Sequence, residues 1–166
     1  MTSEREELIK TLDKHRNFLR QAAQGLTDEQ AAARPTVSEL CVGGLVKHVA
    51  YVEEGWANFM VEGASGLARD AEDPMAAHAA SFRMEPGETL ASLLAAYDEV
   101  ARRTDALIAE LPDLGAGHPL PPAPWFEPNA SWSVRRVALH ILAETAQHAG
   151  HADIVREAID GAKTMG

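Results

Sequence analysis

The residues best suited to chemistry lie in one stretch, HILAETAQHAGHADIVRE, which begins at His140. Four of its side chains can bind a proton or a metal ion, and they follow one another at steps of four, four and three residues: His140, Glu144, His148 and His151. On an α-helix these steps keep all four within a sector of about 80°. Ile141 and Val155 lie beside that sector, so the same face is predicted to pack. Because burying an unpartnered polar group costs about 2 kcal/mol or more, a bound cation is the most economical explanation.

Two of these four side chains are placed like metal ligands. Glu144 and His148 stand at i and i+4, which makes their side chains converge. A third ligand must come from another helix, and His48 is the histidine that falls in the middle of another predicted core stripe. Three protein ligands leave an open coordination position, as in catalytic rather than structural sites. His140 and His151 are then predicted to be catalytic residues that orient a ligand or shuttle a proton.

Other polar residues receive more ordinary interpretations. The remaining histidines lack such a context and are predicted to lie on the surface or in loops: His15, His78 and His118. Two acidic residues about one turn after His48 are expected to be solvated: Glu53 and Glu54. Asp153 and Arg156 either contact the polar part of a cofactor or form a surface ion pair. A two-iron centre is disfavoured, because such bundles use Glu-x-x-His pairs, whereas Glu144 and His148 are four residues apart.

Composition excludes several classes of protein. The chain has 166 residues, 46% of them hydrophobic, and a net charge of −10. An acidic chain without a basic stripe predicts no nucleic-acid partner and no attraction to an anionic membrane surface. A single cysteine, Cys41, rules out an intrachain disulfide, and no apolar run approaches the roughly 20 residues of a membrane span. The N-terminus carries no apolar signal segment, so we expect a cytoplasmic protein.

Helical periodicity organises the chain into four long amphipathic helices. The first runs from a cap at Ser3 to Gly25, the second opens at Ser38, the third spans about 88–111, and the fourth runs from Ser131 or Ser133 to about Gly161. A short helix lies between Thr27 and Pro35, and two long connections cover residues 63–87 and 112–131. Gly43 and Gly44 either weaken the first turn of the second long helix or allow a close helix contact. Trp125 and Phe126 are expected to pin the proline-rich second connection onto the body. We therefore predict one all-α domain, residues 1–166, folded as a four-helix bundle with long crossover connections.

Two of these segments resemble a known family. GGLVKHVAYVE around His48 and HILAETAQHAGHADIVRE on the last helix are similar to the DinB-like superfamily, and in particular to its actinobacterial, mycothiol-dependent branch. That branch includes mycothiol-dependent maleylpyruvate isomerase, whose metal ligands are histidine, glutamate and histidine in that order. Carried over, these match His48, Glu144 and His148. The resemblance implies a DinB-like four-helix bundle and zinc.

The resemblance also implies a function. The isomerase has a further C-terminal domain, whereas this sequence stops at Gly166, which favours the single-domain thiol S-transferases of the branch. We therefore expect a zinc-dependent transferase for detoxification, in which mycothiol attacks an electrophile. The alternatives are a non-enzymatic metal-binding stress-response module and a thiol-dependent isomerase. Another divalent metal in place of zinc stays possible on ligand chemistry. The electrophile and the oligomeric state, a homodimer included, stay open.

Overall fold

The computed structural model describes residues 2–68 and 73–164 and is all-α apart from one short ribbon. Its four long helices are α1 (Glu4–Ala23), α3 (Val42–Glu62), α5 (Leu90–Glu110) and α6 (Val134–Asp160). Two shorter helices are α2 (Asp28–Ala32) and α4 (Pro74–Ala80), and a 3-10 turn covers Gly63–Leu67. Strands β1 (Gly117–Pro119) and β2 (Ser131–Ser133) pair antiparallel. The all-α prediction is confirmed, and the long helices lie where periodicity placed them.

Local signals explain most helix ends. Ser3 and Thr27 each form a capping box, in which the side chain accepts from the third residue of the helix and that residue reaches back to the cap. Ser133, rather than Ser131, caps α6 by accepting from the Arg136 backbone N–H. Gly161 ends α6 with a φ of 78°, a left-handed conformation that favours glycine.

The start of α3 differs from the prediction. Ser38 does not open this helix, because its Oγ accepts from the N–H of Leu40, two residues on, in a local turn. Cys41 is the N-cap instead, and its Sγ accepts from the Gly44 N–H. The cysteine is buried and occupied by this contact.

Two patches of core hold the long helices together. One patch lies at the α2 end of the molecule and centres on Leu19, Leu45 and Tyr97, and the other centres on Leu12, Phe59 and Ile141. Helix α6 packs on α1 and α3, and α3 also packs on α5. Trp56 meets His140 while His48 meets His148, so α3 and α6 run antiparallel. This pairing brings the two sequence motifs side by side.

The long connections fold onto these helices. The first contains the 3-10 turn and α4, and residues 69–72 of it lie outside the described residues. The second is closed by the pairing of β1 with β2. Its Phe126 packs on Trp132 and Trp56, with ring centroids 5.7 and 6.3 Å away, as expected. Trp125 does not pin the loop, because it is 71% exposed.

A buried ion pair crosses the interior of the bundle. The Arg16 guanidinium on α1 contacts both carboxylate oxygens of Glu53 on α3, and it also donates to Asp105 on α5 at 2.8 Å. Arg16 and Glu53 are 0% and 1% exposed. The expectation that Glu53 is solvated is therefore wrong: Glu53 lies on the inward face of α3, where a guanidinium satisfies its charge. We call Arg16, Glu53 and Asp105 the central ion network.

Within the described residues, no helix is both long enough and apolar enough to cross a bilayer.

Candidate metal centre

Helices α3 and α6 bring three donor side chains to one point. One ligand atom from each of His48, Glu144 and His148 lies within 4.8 Å of the other two. The imidazole rings of His48 and His148 meet edge to face with centroids 4.8 Å apart. His148 Nε2 is 3.6 Å from Glu144 Oε2. The three residues predicted from the sequence therefore lie close together in the structure. His48 is distant from Glu144 and His148 along the chain, and the packing of α3 on α6 brings them together.

The His48 side of the cluster is held by residues 81–84, which we call the arm. Ser81 Oγ lies 2.8 Å from His48 Nδ1, and the Phe82 ring stacks on the imidazole at a centroid distance of 3.6 Å. The arm can come this close because α3 begins with two glycines. A Cβ on Gly44 would lie 1.9 Å from the Phe82 carbonyl oxygen. Gly44 therefore allows a close contact, but the contact is with the arm rather than with the predicted helix.

The α6 side is built from helix spacing alone. His151 Nδ1 lies 3.4 Å from His148 Nδ1, which leaves Nε2 of His148 turned toward Glu144. His140 Nε2 lies 3.8 Å from the other carboxylate oxygen, Oε1 of Glu144. The two histidines predicted to support the ligands therefore each touch one ligand.

Aromatic side chains fix the position of His140. Its ring packs edge-on against Trp56 and Trp132, with centroids 4.9 and 5.0 Å away, and those two indoles stack on each other. Arg136 lies over the Trp132 ring at 4.4 Å. Because Trp56 and Arg136 cover the faces of the Trp132 ring, we interpret Trp132 as a support for His140 rather than as a surface on which a ligand stacks.

Asp153 and Arg156 have other partners. Asp153 Oδ1 accepts from the Thr164 N–H at 2.7 Å. The Arg156 guanidinium binds Asp160 and donates to the backbone carbonyls of Ala22 and Gln24. These contacts tie the end of α6 to the end of α1, and the structure does not bring either residue to the three ligands.

The other histidines divide into two groups. His15 packs on Phe18 in α1, and His118 in β1 packs on Phe59, both away from the ligands. His78 is exposed, as predicted, but it lies on α4 with its ring 5.2 Å from that of His48. Sequence reasoning missed His78, Ser81 and Phe82 because their segment has no helical period. The glycine pair of α3 was the one signal that something must approach there.

Charge at the cluster suits a cation. Burial, followed by the nearby His148 and His78, lowers the pKa of His48 to about 3, so its imidazole is neutral at pH 7. The interaction with His148 lowers the pKa of the Glu144 carboxyl, so it is ionised. Burial also lowers the pKa of His140. The neutral His48 imidazole and the ionised Glu144 carboxylate thus suit a cation, while the Glu144 side chain keeps 28% exposure.

Comparison with known proteins identifies the family. The mycothiol S-transferase family model matches residues 7–161. The chain belongs to the mycothiol S-transferase family. The match covers both motifs that suggested the resemblance, and the family prediction is confirmed. No curated protein matches the chain.

A solved structure supports the fold. The crystal structure of a conserved protein from Enterococcus faecalis superposes with a TM-score of 0.69, covering 98% of this chain and 100% of that one. The two sequences are 13% identical, so the likeness concerns the fold alone. The mycothiol S-transferase family member described here therefore shares its architecture with a distant protein.

The donor set of this family member fits a zinc-sized cation. Zinc bonds of about 2.0–2.2 Å in a tetrahedron place neighbouring donor atoms about 3.3 Å apart. The 3.6 Å between His148 Nε2 and Glu144 Oε2 is close to that spacing, and a ligand atom of His48 lies within 4.8 Å of ligand atoms of both residues. Neutral imidazole and carboxylate also suit other divalent metals.

Proposed function

We propose that this chain is a zinc-dependent mycothiol S-transferase in which His48, Glu144 and His148 hold the metal. The observation that carries the proposal is the meeting of these three side chains at one point in a member of the mycothiol S-transferase family. Three protein ligands leave a position for a substrate atom. Two neutral imidazoles and one carboxylate would leave a divalent cation with a net positive charge, which favours an anionic sulfur.

Residues around the site define how mycothiol would reach the metal. A divalent cation in this site would lower the pKa of the mycothiol S–H and so supply a thiolate at neutral pH. The exposed edge of Glu144 leaves an approach to the ligands from solvent. Phe82 and the core cover the opposite side of His48, which keeps water from that face.

The reaction we propose is attack by the sulfur of mycothiol on an electrophilic carbon, either as a substitution or as an addition. In an addition, the π electrons of the electrophile move to the neighbouring atom, which then takes up a proton. The thiolate sulfur forms a bond to an electrophilic carbon, and in a substitution the leaving group departs with the bonding electron pair. The thiol proton passes to a base or to solvent. We propose His151 and His140 as the residues that orient His148 and Glu144 and that could accept this proton, because each lies against one ligand.

A role for Asp153 and Arg156 in binding the polar part of mycothiol stays a prediction. Their bonds to Thr164, Asp160 and the end of α1 favour a structural role. We place the reaction in the cytoplasm, where a reduced thiol would be available.

The direct test incubates zinc-loaded protein with mycothiol and monobromobimane. Attack on the bromomethyl carbon forms a thioether and releases bromide and a proton. We expect conjugate to form faster than in solution, and His148→Ala to remove the acceleration. His15→Ala is the matched control, since His15 packs on Phe18 away from the ligands and should leave the rate unchanged.

A negative result has a defined meaning. If the protein holds one zinc ion per chain and yet forms no conjugate above background, the transferase proposal fails for these substrates. The chain would then be better described as a metal-binding module, with isomerase activity to be assayed separately.

A further inference from the structure

Ser81 occupies an unusual position for a helix-end serine. It is the C-cap residue of α4, it is 3% exposed, and its Oγ lies between the His78 backbone carbonyl and the His48 imidazole. On one side Oγ is 2.6 Å from the His78 carbonyl oxygen, and on the other it is 2.8 Å from His48 Nδ1. A serine at the end of a short helix has no need to contact a buried imidazole, so this contact calls for a reason.

The direction of the two hydrogen bonds follows from their chemistry. A serine hydroxyl has one proton, and a carbonyl oxygen can only accept. The proton of Ser81 is therefore donated to the His78 carbonyl, and Ser81 Oγ is left to accept from His48. His48 must then carry its ring proton on Nδ1, which makes Nε2 the nitrogen with a free lone pair.

We propose that Ser81 is a positioning residue that selects the Nδ1–H tautomer of His48 and so holds Nε2 ready for the cation. Metal-binding histidines commonly donate their other ring N–H to an acceptor, which fixes both the tautomer and the orientation of the ring. Ser81 acts through His48 and needs no contact with substrate. The inference rests on the metal site of the proposed function but not on the transfer reaction.

The arm makes this arrangement rigid. Phe82 stacks on His48, so the ring cannot rotate freely, and the backbone of Phe82 lies directly against Gly44. The Cys41 thiol also donates to the Phe82 carbonyl at 3.8 Å. His48 is 2% exposed, so water cannot replace Ser81 as the acceptor without opening the arm.

The mutational test measures metal affinity rather than activity. Ser81→Ala should raise the zinc dissociation constant about 10–100-fold in a chelator competition assay, and Ser81→Thr, which keeps the hydroxyl, should recover most of the affinity. Ser65→Ala is the matched control, because Ser65 Oγ makes the same bond to a carbonyl three residues back, on Glu62. A zinc dissociation constant within twofold of the unmodified protein for folded Ser81→Ala would overturn the proposal.

A second measurement uses the unmodified protein, so it does not depend on a variant that folds. Long-range 1H–15N correlation spectra of the metal-free protein distinguish the two neutral tautomers of a histidine. We expect the Nδ1–H form for His48, and observation of the Nε2–H form would overturn the proposal. Tight zinc binding with the Nδ1–H tautomer but no conjugation of mycothiol would refute the transferase and leave the role of Ser81 standing.

Discussion

Two polar clusters among the described residues, the central ion network and the metal centre, satisfy their charges in opposite ways. The central ion network pairs the Arg16 guanidinium with two carboxylates, so donors and acceptors are matched inside the protein. Burial opposes the charge on Arg16, but Glu53 and Asp105 outweigh it and raise the pKa of Arg16 above its ordinary value. The metal centre instead offers two imidazoles and a carboxylate without a cationic partner of its own, and one edge of it reaches solvent.

The contrast shows which cluster is structural and which awaits a ligand. A cluster that supplies its own counter-charge is complete when the chain folds. A cluster made of acceptors is completed by a cation from outside. Loss of one member should therefore cost folding stability in the central ion network and metal affinity in the metal centre.

The largest effect is expected in the central ion network. Glu53→Gln removes the buried counter-charge of Arg16, and breaking such a pair typically costs about 3–5 kcal/mol. Urea denaturation of the metal-free protein would measure the loss in free energy of unfolding. Glu62→Gln, at an exposed position at the end of the same helix, should change it little. If Glu53→Gln weakened zinc binding by as much free energy as it removed from the free energy of unfolding, the proposed division of roles between the two clusters would be wrong.

A smaller effect on stability is expected when zinc binds and when a chelator removes it. Zinc at about 100 times its dissociation constant should stabilise the folded chain by about 2.7 kcal/mol. Differential scanning calorimetry should show this as a rise in Tm that a chelator reverses. In His148→Ala the rise should vanish, while the metal-free Tm stays near that of the unmodified protein. Retention of stoichiometric zinc by this variant would refute the ligand assignment.

The smallest effect on stability is expected at the contact between the arm and α3. Gly44→Ala forces the backbone of Phe82 to move, and overpacking of this kind typically costs about 1–3 kcal/mol. Because the arm carries Ser81, zinc affinity should fall as well. Gly150→Ala on α6 is the control, since its Cβ would meet nothing within 4 Å, and an alanine in a helix should stabilise it slightly. Equal zinc affinities in the two variants would show that the arm does not position His48.

Much of this architecture could be read from local signals. Capping boxes and a period of 3.6 residues are properties of short windows, so the sequence predicts α1 and α6 almost to their ends. The proposed ligands could be identified for the same reason: Glu144 and His148 share a helix face, and His48 stands in an apolar stripe. Imidazole and carboxylate side chains indicate a metal cation as the partner, and this inference does not depend on the rest of the fold.

What was missed depends on contacts between distant segments. Ser81 and Phe82 reach His48 only because the arm lies against Gly44, and nothing in the composition of residues 63–87 indicates that approach. The central ion network, in contrast, is indicated by a signal in the sequence. Arg16 follows Leu12 by four residues and precedes Leu19 by three, so it stands in the inward stripe of α1. A charged residue in such a stripe predicts a buried partner, and Glu53 was that partner.

The meeting of His48 and His148 across the antiparallel helices has a kinetic consequence. The two ligands come together only when α3 and α6 have docked, so the ion has little to bind in a partly folded chain. An interaction formed late in folding slows unfolding and scarcely changes the folding rate. Bound metal would thus slow the unfolding of this protein. It would lengthen the lifetime of the folded state rather than speed its formation.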